Sequence, residues 1–346
     1  MAEKKKNAWV WMLLCMVAAA GVGAWWMYRS GFDTEKPTYI YIDTDDNVDS
    51  VSQKIEAVGQ PQNMGVFHLF ASLLKLQDHL HTGRYEVTQQ TTALDLVRHI
   101  RNHNEKPINL VVPSVRTIAD MAGRLAQQLM VDSASIAQQL NDVEKVKEMG
   151  YTQETLPALF IPNTYEVYWD ISVEKLFARL VRENKTFWNK QRIGKLKSVS
   201  QYAGEEMTKE KVVTLAAIVD SETANNGEKP NIAGLYLNRM RIGMPLQSDP
   251  TVIYALKDFS IRRVLHEHLK VDSPYNTYKN VGLPPGPIRV ASIAGIDAVL
   301  NYAKHDYLYM CAKEDFSGTH NFAVTYAEHQ HNAARYVRAL NERGIR

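Results

Sequence analysis

Glu222 is the ionisable residue whose position holds the most chemical promise. Leu215, Ile218, Val219 and Glu222 recur at i, i+3, i+4 and i+7, one stripe of a helix. That stripe ends on a carboxylate just before the helix-breaking run Asn225-Asn226-Gly227. Partial burial disfavours a charged carboxylate and raises its pKa, the condition a general acid needs near neutral pH. Asp220, two residues earlier, falls on a different face of the same helix. On the pattern alone, the commoner outcome is a stripe that simply ends, with Glu222 solvated.

The segments that follow are loops dense in Pro, Gly, Asn, Thr and Tyr. They read RIGMPLQSDPTVIY (Arg241–Tyr254), SPYNTY (Ser273–Tyr278), GLPPGPI (Gly282–Ile288) and GTHNF (Gly318–Phe322). Their donors, acceptors and flat rings suit a groove that holds sugar. Ordinary turn chemistry explains the Pro and Gly but not the clustering of Tyr and amides. Other chemistries lack their signatures. There is no P-loop, no dinucleotide-binding glycine string, no G-x-S-x-G and no C-x-x-C. His266-Glu267-His268 and His329-x-His331 turn their imidazoles to different helix faces, so no metal centre is expected.

These residues need a scaffold, and hydrophobic periodicity supplies its outline. Thr38–Ile42, Gly83–Val87 and Ile108–Val112 read as strands. Helices are predicted over Asn47–Val58, Val66–Leu76, Thr92–Ile100 (capped by Thr91 or Thr92) and Thr117–Leu129. Mainly helices continue to about residue 245, followed by a region rich in strands and loops. The class is α+β.

Residues 8–28 form an uncharged run of 21, AWVWMLLCMVAAAGVGAWWMY, flanked by tryptophans and preceded by Lys4, Lys5 and Lys6. At about 1.5 Å per residue, such a helix just spans a hydrocarbon core of roughly 30 Å. Basic residues before it and aromatic belts at both ends predict a single-pass anchor with the body outside the cytoplasm. A cleaved signal peptide is the rival reading, since AAAGVGA offers small residues for cleavage. The chain has 346 residues, 40 Lys+Arg against 38 Asp+Glu, and the N-terminal lysines account for the excess. A neutral body argues against nucleic-acid binding, which needs a basic face. Two cysteines, one of them inside the apolar run, make no disulfide framework.

Taken together, AAIVDSET, NRMRIGMPLQSDPTVIYAL, YNTY and GLPPGPI, in this order over Val212–Ile288, closely resemble the endolytic murein transglycosylases of the YceG-like family. LPALFIPNTYEVYW (Leu156–Trp169) matches a further family string. The resemblance runs from the N-terminal anchor to about Arg346. It implies a cytoplasmic tail over 1–7, a transmembrane helix over 8–28, a small LysM-like α+β subdomain over 38–105 and a mixed α+β catalytic domain over 106–346. The family's catalytic glutamate falls on Glu222, followed by Thr223. This chain departs from the family with Asp220 where Glu is usual, and with Asn163 where Asp is usual.

By the same resemblance, the expected activity is that of a lyase. It would cleave the MurNAc–GlcNAc β-1,4 bond with formation of a 1,6-anhydro end, without cofactor or metal. Gln247, Ser248, Asp249, Tyr275, Asn276 and His320 are the candidates for binding glycan or shaping the cleft. Asp249 is equally a turn-capping residue, and His320 equally a structural one. The expected partners are peptidoglycan strands, the inner membrane and peptidoglycan synthases. The place of action is the periplasmic side of the inner membrane, where the enzyme would end strand elongation. A hydrolytic muramidase and a non-catalytic peptidoglycan scaffold are the alternatives.

Overall fold

The computed structural model describes residues 2–29 and 31–344, with side chains for 9–23, 25 and 31–344. The chain divides into two compact units. One takes in Met1–Leu110, Gln128–Met130 and Tyr165–Ile171; the other takes in Val111–Gln127, Val131–Thr164 and Ser172–Arg346.

The first unit begins with helix α1 (Ala2–Arg29). Among the described residues no helix is long and apolar enough to cross a membrane. The expected span falls in part on residues 8, 24 and 26–28, whose side chains lie outside the description. Strand β1 (Thr38–Ile42) is followed by α2 (Val48–Gly59), α3 (Met64–Leu73), β2 (Gly83–Val87) and α4 (Ala93–Arg101). β1 and β2 pair antiparallel, with Thr38 opposite Val87 and Ile42 opposite Gly83. Alternation turns Ile40, Ile42, Tyr85 and Val87 inward, where each is at most 1% exposed. Val51 and Ile55 of α2, Phe67 of α3, and Leu96, Val97 and Ile100 of α4 close this core. Thr92 caps α4 through the Asp95 N–H, and Asp95 returns the bond to the Thr92 N–H.

A polar cluster stands at one edge of this unit. His103 Nε2 lies 3.3 Å from Glu105 Oε1 and 3.4 Å from Asp170 Oδ2. Burial, then the neighbouring Asp170 charge, pushes the Glu105 carboxyl up to about 7. Among the described residues this is the one trio of His, Cys, Asp or Glu close enough to share a metal ion.

Strands β3 (Ile108–Val112) and β4 (Asn163–Val167) pair with each other. Between them in sequence come α5 (Ile118–Ala126), α6 (Ser133–Asn141) and α7 (Val143–Glu148). After β4 follow α8 (Val173–Phe187), α9 (Lys190–Ala203), α10 (Lys209–Glu222), α11 (Lys229–Arg241), α12 (Asp249–Leu256) and α13 (Ile293–Leu300). The chain then forms β5 (Tyr309–Ala312), β6 (His320–Ala323) and α14 (Tyr326–Glu342). β5 and β6 are antiparallel, with Ala312 opposite His320.

Helix α10 is the axis of the second unit. Every residue from Val212 to Val219 is buried, so the helix is covered on all sides rather than along one stripe. α11, α12 and α13 pack against it. Their contributions include Ile232, Leu235 and Tyr236 from α11 and Ile296 and Val299 from α13. The region after residue 245 is more helical than its Pro/Gly content predicts. α12 starts inside a Pro-rich string, with Pro250 in its first turn, where proline's missing N–H costs no hydrogen bond. α14 buries none of its residues, so no apolar stripe announces it; Thr325 and Glu328 cap it reciprocally.

Candidate active site

Glu222 is the last residue of α10. Thr223 leaves the helix in an extended conformation, and its hydroxyl accepts the Asn225 N–H at 3.1 Å. Asn225 in turn accepts the Gly227 N–H at 2.9 Å, and Pro230 opens α11. This chain of local side-chain bonds ends the helix within one residue of Glu222.

The Glu222 carboxylate is held from one side. Tyr236 donates its hydroxyl to Oε1 at 2.7 Å, and Ser248 donates to the same oxygen at 2.5 Å. Oε2 makes no hydrogen bond to a described residue. Burial raises the pKa of this carboxyl above its ordinary value, and the charge of Asp249 adds to the rise. The Ser248 and Tyr236 hydrogen bonds and the field of His320 work against it without reversing it. A proton can therefore remain on Glu222 at a pH where a solvated glutamate has lost its own. Burial also lifts the Tyr236 phenol well above its ordinary range, so it stays a donor.

Glu222 opens onto a cavity of about 220 Å³ that Tyr236, Gln247, Asp249, Tyr278, Cys311 and His320 help to line. Gln247 takes the left-handed region (φ 52°), and its N–H bonds the Thr277 carbonyl. That kink delivers Ser248, only 1% exposed, beneath Glu222. Asp249 is exposed at the start of α12 and accepts the Tyr278 hydroxyl at 2.6 Å. Its carboxylate thus has a side-chain partner across the cavity rather than a capping bond to its own helix. His320 starts β6. Its N–H lies 2.7 Å from Glu228 Oε1 and its Nδ1 2.9 Å from Glu228 Oε2. One carboxylate thereby fixes both the backbone and the ring of His320.

The structure therefore brings Glu222, Gln247, Asp249 and His320 to one cavity, with Ser248 buried against Glu222. It places two other candidates elsewhere. Asn276 is fully buried, with its amide donating to the carbonyls of Leu269 and Val271 and its oxygen accepting the Tyr278 N–H. It shapes the loop that presents Tyr278 rather than meeting a ligand. Tyr275 packs on Tyr254, ring centroids 4.8 Å apart, and does not line this cavity.

Four residues of the site carry no signal in sequence spacing. Tyr236 and Arg239 come from α11, Glu228 from the turn before it, and Tyr278 closes a string whose earlier members looked better placed. Arg239 is spent on structure, donating Nε to the Leu308 carbonyl and Nη1 to that of Leu246, both at 2.6 Å. Asp220 faces away from Glu222's partners. Lys229 Nζ lies 2.6 Å from its Oδ1, and Ser292 donates both its N–H and its hydroxyl to the carboxylate. A Cβ on Gly295 would come within 2.5 Å of Asp220, so only glycine leaves room for that carboxylate.

The YceG-like family profile matches residues 40–335. The chain belongs to the YceG-like family. A Bacillus subtilis protein named endolytic murein transglycosylase is 34% identical over 177 residues, covering 50% of this chain and 46% of that protein. A Streptococcus pneumoniae protein of the same name is 24% identical over 373 aligned positions, covering 96% of this chain and 65% of that protein. The chain thus spans less than two thirds of the length of these relatives. A 2.6 Å crystal structure of a YceG-like protein from Listeria monocytogenes aligns with a TM-score of 0.57 at 26% identity. That alignment covers 86% of this YceG-like chain and 99% of the other.

Proposed function

We propose that this YceG-like protein is a peptidoglycan lytic transglycosylase that cleaves the MurNAc–GlcNAc β-1,4 bond endolytically, with Glu222 as its acid and base. The observation that carries this reading is the asymmetry of the carboxyl group. Oε1 is pinned by Tyr236 and Ser248, while Oε2 makes no hydrogen bond to a described residue. A protonated Glu222 donates to the glycosidic oxygen as positive charge develops on the anomeric carbon. The carboxylate left behind takes the proton of the muramoyl C6 hydroxyl as that oxygen attacks the same carbon. A C–O bond breaks, another forms, and the proton returns to Glu222. Because the C6 hydroxyl belongs to the reacting sugar, proximity supplies much of the rate. The names of the Bacillus and Streptococcus relatives support this reading.

A hydrolytic muramidase would need a second carboxylate to hold water, and Asp249 is the group available. Its Oδ1 accepts the Tyr278 hydroxyl, so the two readings are separated by the mass of the product rather than by this contact. A scaffold that only binds glycan would have no use for a buried acid.

The apolar run of α1 behind three lysines would anchor the chain in the inner membrane, with the body periplasmic. Residues 38–105 would serve as a LysM-like glycan-binding module. An enzyme so tethered would act beside the synthases and end strand elongation. If a form lacking residues 1–28 but exported to the same compartment replaced the native protein fully in cells, the anchor would have no such role.

The deciding assay incubates the full chain in detergent, wild type and Glu222→Gln, with uncross-linked glycan strands, and weighs the products. Ends lighter by one water, absent with Glu222→Gln, are expected. Reducing ends of full mass would transfer the reading to hydrolysis and to Asp249.

A further inference from the structure

A second cavity, of about 180 Å³, is lined by Asp220 and Ser221 at the same helix end. Ser221 and Pro250 line it, while their chain neighbours Glu222 and Asp249 line the first. Adjacent residues, with Cα atoms about 3.8 Å apart, thus line the two cavities at two places.

The charges around this second cavity do not balance. Arg116 and Arg289 both line it. Arg116 lies 5.5 Å above the Phe259 ring and meets no carboxylate among the described residues. Arg289 donates Nη2 to Ser114 at 3.0 Å, but its Nε is buried without a hydrogen-bond partner. Burial holds the Arg289 guanidinium below its ordinary range, and the charge of Arg116 adds to this; Asp220 opposes it. Asp220 is the one carboxylate in the lining, yet Lys229 and Ser292 already occupy it. Two guanidinium groups therefore share a pocket with apolar and aromatic walls and no counter-ion of their own. An orphaned buried donor costs free energy that an incoming anion would recover. The planar fork of arginine matches a carboxylate.

We propose that this cavity binds a carboxylate of the substrate's peptide stem between Arg116 and Arg289, and so selects glycan strands whose stems carry free carboxylates. The inference rests on the reading of the protein as a peptidoglycan-cleaving enzyme. Within a glycan strand the stems hold the anions, whereas a pyrophosphate occurs only at a strand's end. The stem leaves the muramoyl sugar itself, so a subsite one residue away from the catalytic acid is where it would enter.

The test compares cleavage of strands bearing free stem carboxylates with cleavage of the same strands after conversion to carboxamides. Wild type should favour the free form by at least about tenfold in kcat/KM, the size of one charge-assisted hydrogen bond. Arg116→Gln and Arg289→Gln should each bring that ratio close to one. The ratio is read within one variant, so a folding loss that slows both substrates leaves it unchanged. Arg116, whose side chain makes no hydrogen bond to a described residue, is the safer substitution. Calorimetry with a soluble muramoyl tripeptide, its carboxamide and inorganic pyrophosphate provides the second arm. Tripeptide binding lost in Arg116→Gln supports the site. Equal binding of the carboxamide, a ratio of one in wild type, or a ratio retained in both variants overturns it, and tighter binding of pyrophosphate overturns the assignment to stems. Failure of wild type to cleave either strand, with arginine-dependent tripeptide binding intact, would sink the lyase reading and leave the carboxylate site standing.

Discussion

Lys229 pairs with Asp220 at 2.6 Å and not with Glu222, although the two carboxylates stand two residues apart on one helix. That choice of partner decides their chemistry. Asp220 is buried with a cation and two Ser292 donors as partners. Glu222 has only hydroxyl groups, which hold it in place without cancelling the effect of burial.

Removing the lysine should therefore damage the fold rather than the chemistry directly. Both side chains are less than a tenth exposed, so Lys229→Met leaves an uncompensated buried charge. The expected loss is about 3–5 kcal/mol, read from urea midpoints. Lys229→Met with Asp220→Asn should recover much of it. A double variant as unstable as the single one would show that the lysine acts through something other than this pair.

The pH profile should report Glu222. The reaction needs its protonated form, so activity is expected to fall as pH rises through the raised pKa of this carboxyl. Ser248→Ala and Tyr236→Phe each remove a hydrogen bond that favours the charged form. Both should therefore move the alkaline limb to higher pH. Glu222→Gln should lower kcat on the order of 10²–10⁴-fold and abolish the limb. A limb unmoved in both hydroxyl variants would assign it to another group.

The stability that Glu222 contributes should fall over the same pH window. A carboxyl whose folded pKa lies above its unfolded value favours the fold while protonated, and loses that contribution as pH rises through the folded pKa. Glu222→Gln should then melt higher than wild type at alkaline pH, with the gap closing below the ordinary glutamate range. Thermal scans at several pH values would show the crossing. A constant gap would mean that packing, not ionisation, separates the two proteins.

Much of this arrangement is legible in the sequence where the information is local. Thr38–Ile42, Gly83–Val87 and Ile108–Val112 form strands with the bounds their alternation implies. Glu222 ends its helix because Thr223 and Asn225 provide the stop. What spacing could not supply is direction across the core. Tyr236 reaches Glu222 only because α10 and α11 pack side by side. Asn276 has the chemistry of a sugar ligand, but its amide is consumed by Leu269 and Val271. The stripe in α10 suggested one buried face, whereas three packed helices bury every face of its middle turns.

Gly83 offers a test of the first unit. It opens β2 at φ 135°, and a Cβ there would lie 2.7 Å from Glu105 Oε2. Gly83→Ala combines backbone strain with a clash against a carboxylate already held among His103, the Arg84 N–H and Asp170. A destabilisation of about 1–3 kcal/mol is expected by chemical denaturation. If Gly83→Ala with Glu105→Ala is no more stable than the single variant, the backbone conformation and not the contact sets the cost.

Glu228 is the remaining test of how the cavity is built. It holds His320 by both the N–H and the ring, so it fixes where β6 enters the cavity wall. Glu228→Gln retains the volume and one acceptor oxygen, but its NH₂ cannot accept from His320. The ring or the backbone must then shift. A displacement of about 1 Å in a group that positions substrate can cost on the order of a hundredfold in rate. The expected result is a large fall in kcat/KM with the unfolding midpoint close to that of wild type. Glu228→Gln should be no worse than His320→Ala if the glutamate acts only through the histidine. A Glu228→Gln variant with full activity would show that His320 is held firmly enough by β6 pairing alone, and would remove it from the residues that shape the reaction.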